Sequence, residues 1–203
     1  MSWSRDLAGG LALRLLEPHH AEDLYAVVDA NRAHLGGWMS WVEHTRSVED
    51  ARKYAVESLR NFAERKAIAV TILKHGKIVG NTGWFNWTES RSGSGSMEIA
   101  SADIGYWLAQ EACGQSIATR STVALTQLGF AEYGLRRMII TAEPDNPASW
   151  RVAERAGYAY EGTLRGVAHW KGRRIDHKLY AACADHWHAP EDAIVGSAPG
   201  GGS

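Results

Sequence analysis

The chain has 203 residues, 45% of them hydrophobic, which is enough to bury one substantial core but close to the size at which a second begins. A formal charge of −1 and a pI near 6.8 give no general attraction to nucleic acid, and no block of like charge marks a phosphate-binding tail. Two cysteines, Cys113 and Cys183, stand too far apart in sequence for metal-ligand spacing and are too few for a disulfide framework, which points to the cytosol and to no metal.

Residues 1–10 lack a basic start followed by an apolar run, so neither a signal peptide nor a membrane span is expected, and the segment reads as flexible. One α/β domain is expected over residues 11–187. It opens with an apolar run over residues 11–16, ended by Pro18, which suits a strand; Leu24, Val27 and Val28 then recur at helical spacing. Ser47 with Asp50 three positions on resembles a capping box, and Ala51, Tyr54, Ala55, Ser58, Leu59 and Phe62 follow on one helical face. The β-rich runs 67–73 and 78–85 flank His75-Gly76 and read as an antiparallel hairpin. A Ser/Gly-rich loop over 89–96 leads to a long strand over 97–108, in which Gly105 marks a bulge or a close backbone approach.

The second half has a βαβα rhythm: a helix over 117–133, a buried strand over 138–142 and a helix over 147–156. Asn146 suits the N-cap of that last helix, Pro147 its first position and Gly157 its left-handed stop. Residues 158–165 and 175–183 are further strands, joined around Lys171-Gly172. From 188 to 203 the chain is Pro, Gly, Ser and acidic residues with little to bury, and disorder is expected.

The chemistry is carried by two segments. In the first, Asp103-Ile104-Gly105-Tyr106-Trp107-Leu108 is followed by Cys113-Gly114-Gln115-Ser116-Ile117-Ala118 and a helix. A strand, a tight turn and a helix N-terminus in that order place free N–H groups where a pyrophosphate can be held. In the second, Asn146 to Ser149 opens the helix that ends at Gly157, with Glu161-Gly162-Thr163-Leu164-Arg165 beyond it. Together with Asn31, Leu35, Trp38 and Trp41, these segments resemble the GNAT superfamily of acyl-CoA N-acyltransferases over residues 11–187, and within it the RimL-like branch that acetylates protein N-terminal amines.

That resemblance implies an α/β fold with a mixed, mostly antiparallel sheet splayed between strands 4 and 5, flanked by about four helices. It implies acetyl-CoA as acyl donor, with its pantetheine arm against the backbone of Trp107 and Leu108. Its pyrophosphate would lie on the N–H groups of Cys113, Gly114, Gln115, Ser116, Ile117 and Ala118, with Asn146 holding the arm from the other side. Ser149 would lie near the sulfur as general acid or thiolate stabiliser; satisfying local backbone is its alternative role. The family's phosphate signature places Gln or Arg, then Gly, then Gly or Ala where this chain has Cys113, Ser116 and Ala118, so two positions depart and the freedom of glycine at positive φ is lost.

On the acceptor side, an amine attacks only when neutral, and reference values near ~8 for an α-amine and ~10.4 for lysine favour the former. Direct attack on a thioester needs no protein nucleophile, so neither cysteine is required for it. Glu98 and Asp103 are candidate proton relays; an odd separation places them on opposite faces of a regular strand. Trp38, Trp41 and Trp84 offer flat acceptor walls, with core packing the alternative for one of them, and Asn81 offers a polar contact. Arg136, Arg137, Arg173 and Arg174 are solvent-facing charges or helpers for carrier phosphates. The reading is therefore an N-acyltransferase moving acetyl from acetyl-CoA to a primary amine, either a protein N-terminus or a small molecule such as an antibiotic. Two others stay open: transfer from aminoacyl-tRNA, and a non-catalytic module binding coenzyme A or peptide. No membrane partner is expected; related enzymes often pair as homodimers.

Overall fold

Leu11, Leu13 and Leu15 are buried while Ala12 and Arg14 between them are half-buried, the period-two pattern of a strand with one covered face. In the computed structural model, which describes residues 3–88 and 100–191, this strand is β2 (Leu11–Leu15) of one eight-stranded sheet. The others are β1 (Ser4–Leu7), β3 (Ile68–Lys74), β4 (Lys77–Thr88), β5 (Ser101–Leu108), β6 (Arg137–Ala142), β7 (Ala159–Trp170) and β8 (Arg173–Cys183). Their spatial order is β1-β2-β3-β4-β5-β6-β8-β7, and every neighbouring pair is antiparallel except β5 with β6.

β1 corrects the flexible reading of residues 1–10. Ser4 pairs with Arg14 and Leu7 with Leu11 across a turn in which Gly9 and Gly10 both take positive φ, and Asp6 binds Arg14 at 2.5 Å. The turn is three residues long, Ala8-Gly9-Gly10, and glycine at the last two meets their positive φ at no steric cost. β3–β4 and β7–β8 turn through two residues where the sequence placed them, at His75-Gly76 and Lys171-Gly172, again with positive φ at both residues.

Among the described residues five α-helices flank the sheet, one of them a single turn: α1 (Ala21–Ala30), α2 (Arg32–Leu35), α3 (Val48–Ala63), α4 (Ile117–Glu132) and α5 (Pro147–Arg155). At the start of α3 the Ser47 hydroxyl accepts from the Asp50 amide at 3.2 Å, the N-cap expected there. α1 and α3 cover one face through Leu24, Ala51 and Ala55 over Leu16, Ala69 and Ile78. α4 and α5 cover the other, through Leu125, Leu128, Val152 and Ala153 against Val70, Ile104, Met138 and Ile140. No described helix is long and apolar enough to cross a membrane.

The sheet parts where its two halves meet. β5 and β6 pair only at Ser101 with Arg137, Ala102 with Met138 and Asp103 with Ile139; beyond these rungs both strands run on without pairing to each other. This is the splay expected between strands 4 and 5, moved one place along because β1 adds a strand. Gly105 carries no bulge. It faces Gly83 in regular register, and a Cβ there would meet the Phe85 ring at 3.1 Å, so a close approach explains the residue.

At the carboxyl end, Trp187 packs edge-on against Phe130 and donates its indole N–H to the Ala156 carbonyl at 2.9 Å. His188 and Pro190 lie against Gly157, so the segment expected to be disordered is docked up to that point. Residues 192–203 lie outside the described residues.

Candidate active site

Alternation along β5 decides which main-chain groups face the gap. The Ala109 amide donates to Val79 in β4, and the Trp107 carbonyl presses on Gly80, so odd-numbered residues here turn toward β4. Tyr106 and Leu108, beyond the last rung, therefore present their N–H and C=O groups to the open side. Of the two residues expected to hold an extended ligand arm, Leu108 is so placed and Trp107 is not; Tyr106 takes its place. A free strand edge of this kind is a template for hydrogen bonds to any chain-like ligand.

At the end of β5 the chain turns through residues 113–118 into α4. Gly114 has φ +76° and Ser116, the N-cap, has φ +56°. Ser116 thus adopts the left-handed conformation that the family signature assigns to glycine, at a steric cost of about 1–2 kcal/mol. The first bond within α4 runs from the Arg120 amide to the Ser116 carbonyl at 3.0 Å, which leaves the amides of Ile117, Ala118 and Thr119 without partners inside the helix. Three free amides at the positive end of a sixteen-residue helix fit a pyrophosphate. Asn31 braces this turn from α1: it accepts from the Gln110 amide and donates to the Val27 carbonyl, both at 2.9 Å.

Across the gap, the Asn146 side chain accepts from the Ser149 amide at 3.1 Å and caps α5. This takes one lone pair of its oxygen and leaves the amide nitrogen free for a ligand. Ser149 follows in the first turn of α5 and borders the opening. The Tyr106 hydroxyl donates to the Ser149 carbonyl at 2.8 Å, and the Ser149 hydroxyl donates to the Tyr106 oxygen at 3.4 Å. Burial pushes the Tyr106 phenol up to about 12, so it stays protonated. Because its one proton points at a backbone carbonyl, Tyr106 orients Ser149 and is no relay.

Between this point and α1 and α3 lies a cleft of about 770 Å³. Trp41, Trp107, Met39, Tyr54 and Phe85 give it apolar walls, and Gly83 and Gly105 give it a floor bare of side chains. Trp41 is tilted against Trp107 with ring centroids 5.6 Å apart. The three tryptophans expected as walls divide. Trp41 is one. Trp84 is the core member: it borders the cleft, but its ring is 1% exposed and packs edge-on against Trp87 and Tyr133. Trp38 is 38% exposed and does not border the cleft. Asn81 does, from β4.

Asp103 does not border the cleft; its carboxylate accepts from the Asn86 side chain at 2.7 Å. Glu98, its paired candidate, lies outside the described residues. The carboxylate that does border the cleft is Asp50, which sequence reading placed only in a helix cap. The Ser47 hydroxyl, at 2.8 Å, and the Arg46 amide donate to it and hold it below the usual carboxylate range. His44 and Tyr54 border the cleft as well and were also missed; no motif links residues brought together from separate elements.

The arginine pairs are engaged elsewhere. Arg136 binds Asp185, Arg137 binds Glu161, Arg173 approaches Glu143 at 3.5 Å and Arg174 approaches Asp176 at 3.8 Å. Glu161, from the Glu161-Gly162 motif, thus pins β7 to β6. At the tip of the β7–β8 hairpin, Lys171 reaches the segment that carries Trp41, meeting Glu43 and the Gly36 carbonyl, each at 3.2 Å. Burial, then Glu111, pushes the Cys113 thiol up, which disfavours the thiolate a nucleophile needs. Among the described residues no cluster of three His, Cys, Asp or Glu could hold a metal.

A sequence family described as an acetyltransferase (GNAT) domain matches residues 11–159. The chain is 30% identical over 176 residues to the ribosomal-protein-serine acetyltransferase of Escherichia coli strain K12, which covers 86% of this chain and 93% of that protein. Among solved structures, RimL, a ribosomal L7/L12 alpha-N-protein acetyltransferase in complex with coenzyme A, has a TM-score of 0.79 at 25% identity, over 89% of this chain and 98% of its own. The microcin C7 self-immunity acetyltransferase, in complex with acetyl-CoA and AMP, shares the fold at a TM-score of 0.78 and 23% identity, over 88% and 93%.

Proposed function

Since the chain belongs to the GNAT acetyltransferase family and is an acetyl-CoA-dependent N-acetyltransferase, we propose that the amine it acetylates is the α-amine of a protein N-terminus. The relatives give no support to an aminoacyl-tRNA donor or to a non-catalytic binding module. The observation that carries the acceptor reading is the lining of the cleft: apolar walls, a floor of two facing glycines, and Asp50 as its single carboxylate among the described residues. A polycationic small-molecule acceptor calls for several carboxylates, whereas an extended N-terminal segment needs a smooth trough and a bare floor. Acceptors of the two named relatives, ribosomal-protein serine and the L7/L12 alpha-N terminus, support the same reading.

An α-amine, of which roughly a tenth is neutral at pH 7, makes less demand on a base than lysine, of which fewer than about one in a thousand is. Acetyl-CoA supplies a thioester carbonyl. The amine nitrogen forms the new C–N bond as the C–S bond breaks, sulfur leaves with the electron pair as the coenzyme A thiolate, and the proton shed by the amine passes through water to that thiolate to give the thiol. Ser149 is our candidate to donate its hydroxyl hydrogen toward that sulfur, rotating it away from the long 3.4 Å bond to the Tyr106 oxygen, while the Tyr106 bond to its carbonyl and the Asn146 cap on its amide keep the residue in place. Free edge groups of Tyr106 and Leu108 hold the donor's arm, and the opening amides of α4 hold its phosphates. We place the enzyme in the cytosol on the strength of its two free cysteines.

The test is coenzyme A release with peptide acceptors. A peptide with a free N-terminus and no lysine is expected to react at least about tenfold faster than an N-blocked peptide bearing one lysine. The reverse order would overturn the proposal.

A further inference from the structure

The acceptor cleft contains a buried donor that the fold leaves idle. Asn81 is 5% exposed, borders the cleft from β4, and its amide nitrogen has no hydrogen-bond partner. Among the described residues four other buried side-chain polar atoms share that condition, but Ser121 and Thr122 lie along α4, and the indoles of Trp84 and Trp87 sit in the aromatic cluster with Tyr133. Trp84 is three residues from Asn81 on a regular stretch of β4, so the two point to opposite faces.

A buried N–H with no acceptor has given up water for nothing. Trp107 lies across from it, and Leu24, Val28 and Ala51 line the same cleft, so an aliphatic side chain would suit the empty site better than an amide does. Asn81 lies directly across from Trp107, and the next rung on the same face is Gly83 opposite Gly105. Neither glycine tolerates a side chain cheaply: a Cβ on Gly83 would lie 1.9 Å from the Ile68 carbonyl oxygen, and one on Gly105 would lie 3.1 Å from the Phe85 ring. A donor therefore stands at the end of a two-glycine step edged by the Phe85 ring, in the cleft that Ser149 also borders.

We propose that Asn81 determines acceptor specificity, its amide N–H donating to an uncharged oxygen close to the reacting nitrogen: a hydroxyl on the first residue, or the first peptide carbonyl. This rests on the acceptor being a peptide α-amine. Bound substrate supplies the missing partner, and an acceptor without such an oxygen leaves the donor unpaired, as in sites that reject analogues lacking one polar group.

The experiment compares wild type with Asn81→Leu and Asn81→Asp, reading the melting temperature without ligand and kcat/KM for three acceptors: a peptide starting with Ser, the same peptide starting with Ala, and 2-phenylethylamine, which has neither oxygen. Asn81→Leu is expected to raise the melting temperature by about 2–4 °C. It is also expected to lower kcat/KM for peptides by about tenfold or more while leaving the KM for acetyl-CoA and the rate with 2-phenylethylamine unchanged. Asn81→Asp keeps the shape without the donor and is expected to show the same peptide loss. A loss confined to the Ser peptide assigns the bond to the hydroxyl; equal losses for both peptides assign it to the carbonyl. A lower melting temperature for Asn81→Leu, or unchanged peptide kinetics in both variants, overturns the inference alone. A wild-type enzyme that acetylates no peptide N-terminus overturns the acceptor reading and this inference with it.

Discussion

Ser149 has a backbone task and a chemical one, and a single atom separates them. Its amide takes the Asn146 cap and its carbonyl takes the Tyr106 hydroxyl, so both survive removal of the side-chain oxygen. Ser149→Ala is therefore expected to keep its melting temperature and a KM for acetyl-CoA within about threefold, while kcat falls about 100-fold, the usual consequence of losing one donor aimed at developing charge. Steady-state and single-turnover rates at saturating donor check this. An unchanged chemical rate would return Ser149 to the purely structural role that its place in the first helical turn allows.

At the scale of an element, the opening of α4 shows how a departure from a family pattern can leave geometry intact. Ser116 takes the left-handed φ of +56° at the position where the signature has glycine. Ser116→Gly removes about 1–2 kcal/mol of backbone strain and returns about 0.4–1 kcal/mol through a freer unfolded chain. A rise in melting temperature of about 1–2 °C is expected, with the Kd for acetyl-CoA changed less than about twofold. Tenfold tighter binding would mean instead that the serine side chain crowds the phosphates.

The elements themselves were largely legible because their ends are chemically marked. Ser47 and Asp50, Asn146 and Pro147, His75-Gly76 and Lys171-Gly172 all sit where the structure uses them. β1 escaped because four residues carry too short a period to read. The site was less legible, since sequence names residues but not the faces they occupy. Trp84 and Trp41 looked alike as aromatic walls until β4 turned one ring into the core. Trp107 and Leu108 looked alike as strand residues until pairing with β4 fixed which of them faces the gap. Asp50, His44 and Tyr54 meet the cleft only through tertiary packing.

Taken whole, the molecule is a sheet whose two halves are joined at three parallel rungs and locked beyond them by the packing of α5. Tyr106 and Tyr158 lie in that lock, the latter bonded to Thr126 at 2.6 Å. Burial raises both phenols, Tyr106 to about 12 against an ordinary value near ~10. The folded chain then keeps protons that the unfolded chain loses. The stability they contribute is complete below about pH 10 and declines as pH climbs through about 12. Urea unfolding at pH 8.5 to 11.5 is expected to show a steeper alkaline decline for wild type than for Tyr106→Phe, and parallel curves would contradict the assignment. The most direct test of the account as a whole is residue-resolved amide hydrogen exchange with and without saturating acetyl-CoA. Exchange is expected to slow at Tyr106, Leu108, Ile117, Ala118 and Thr119, and to change far less at Gly105 and Trp107, whose amides already face β4. Saturating acetyl-CoA that leaves the first five unprotected would contradict a donor held in the parted strands.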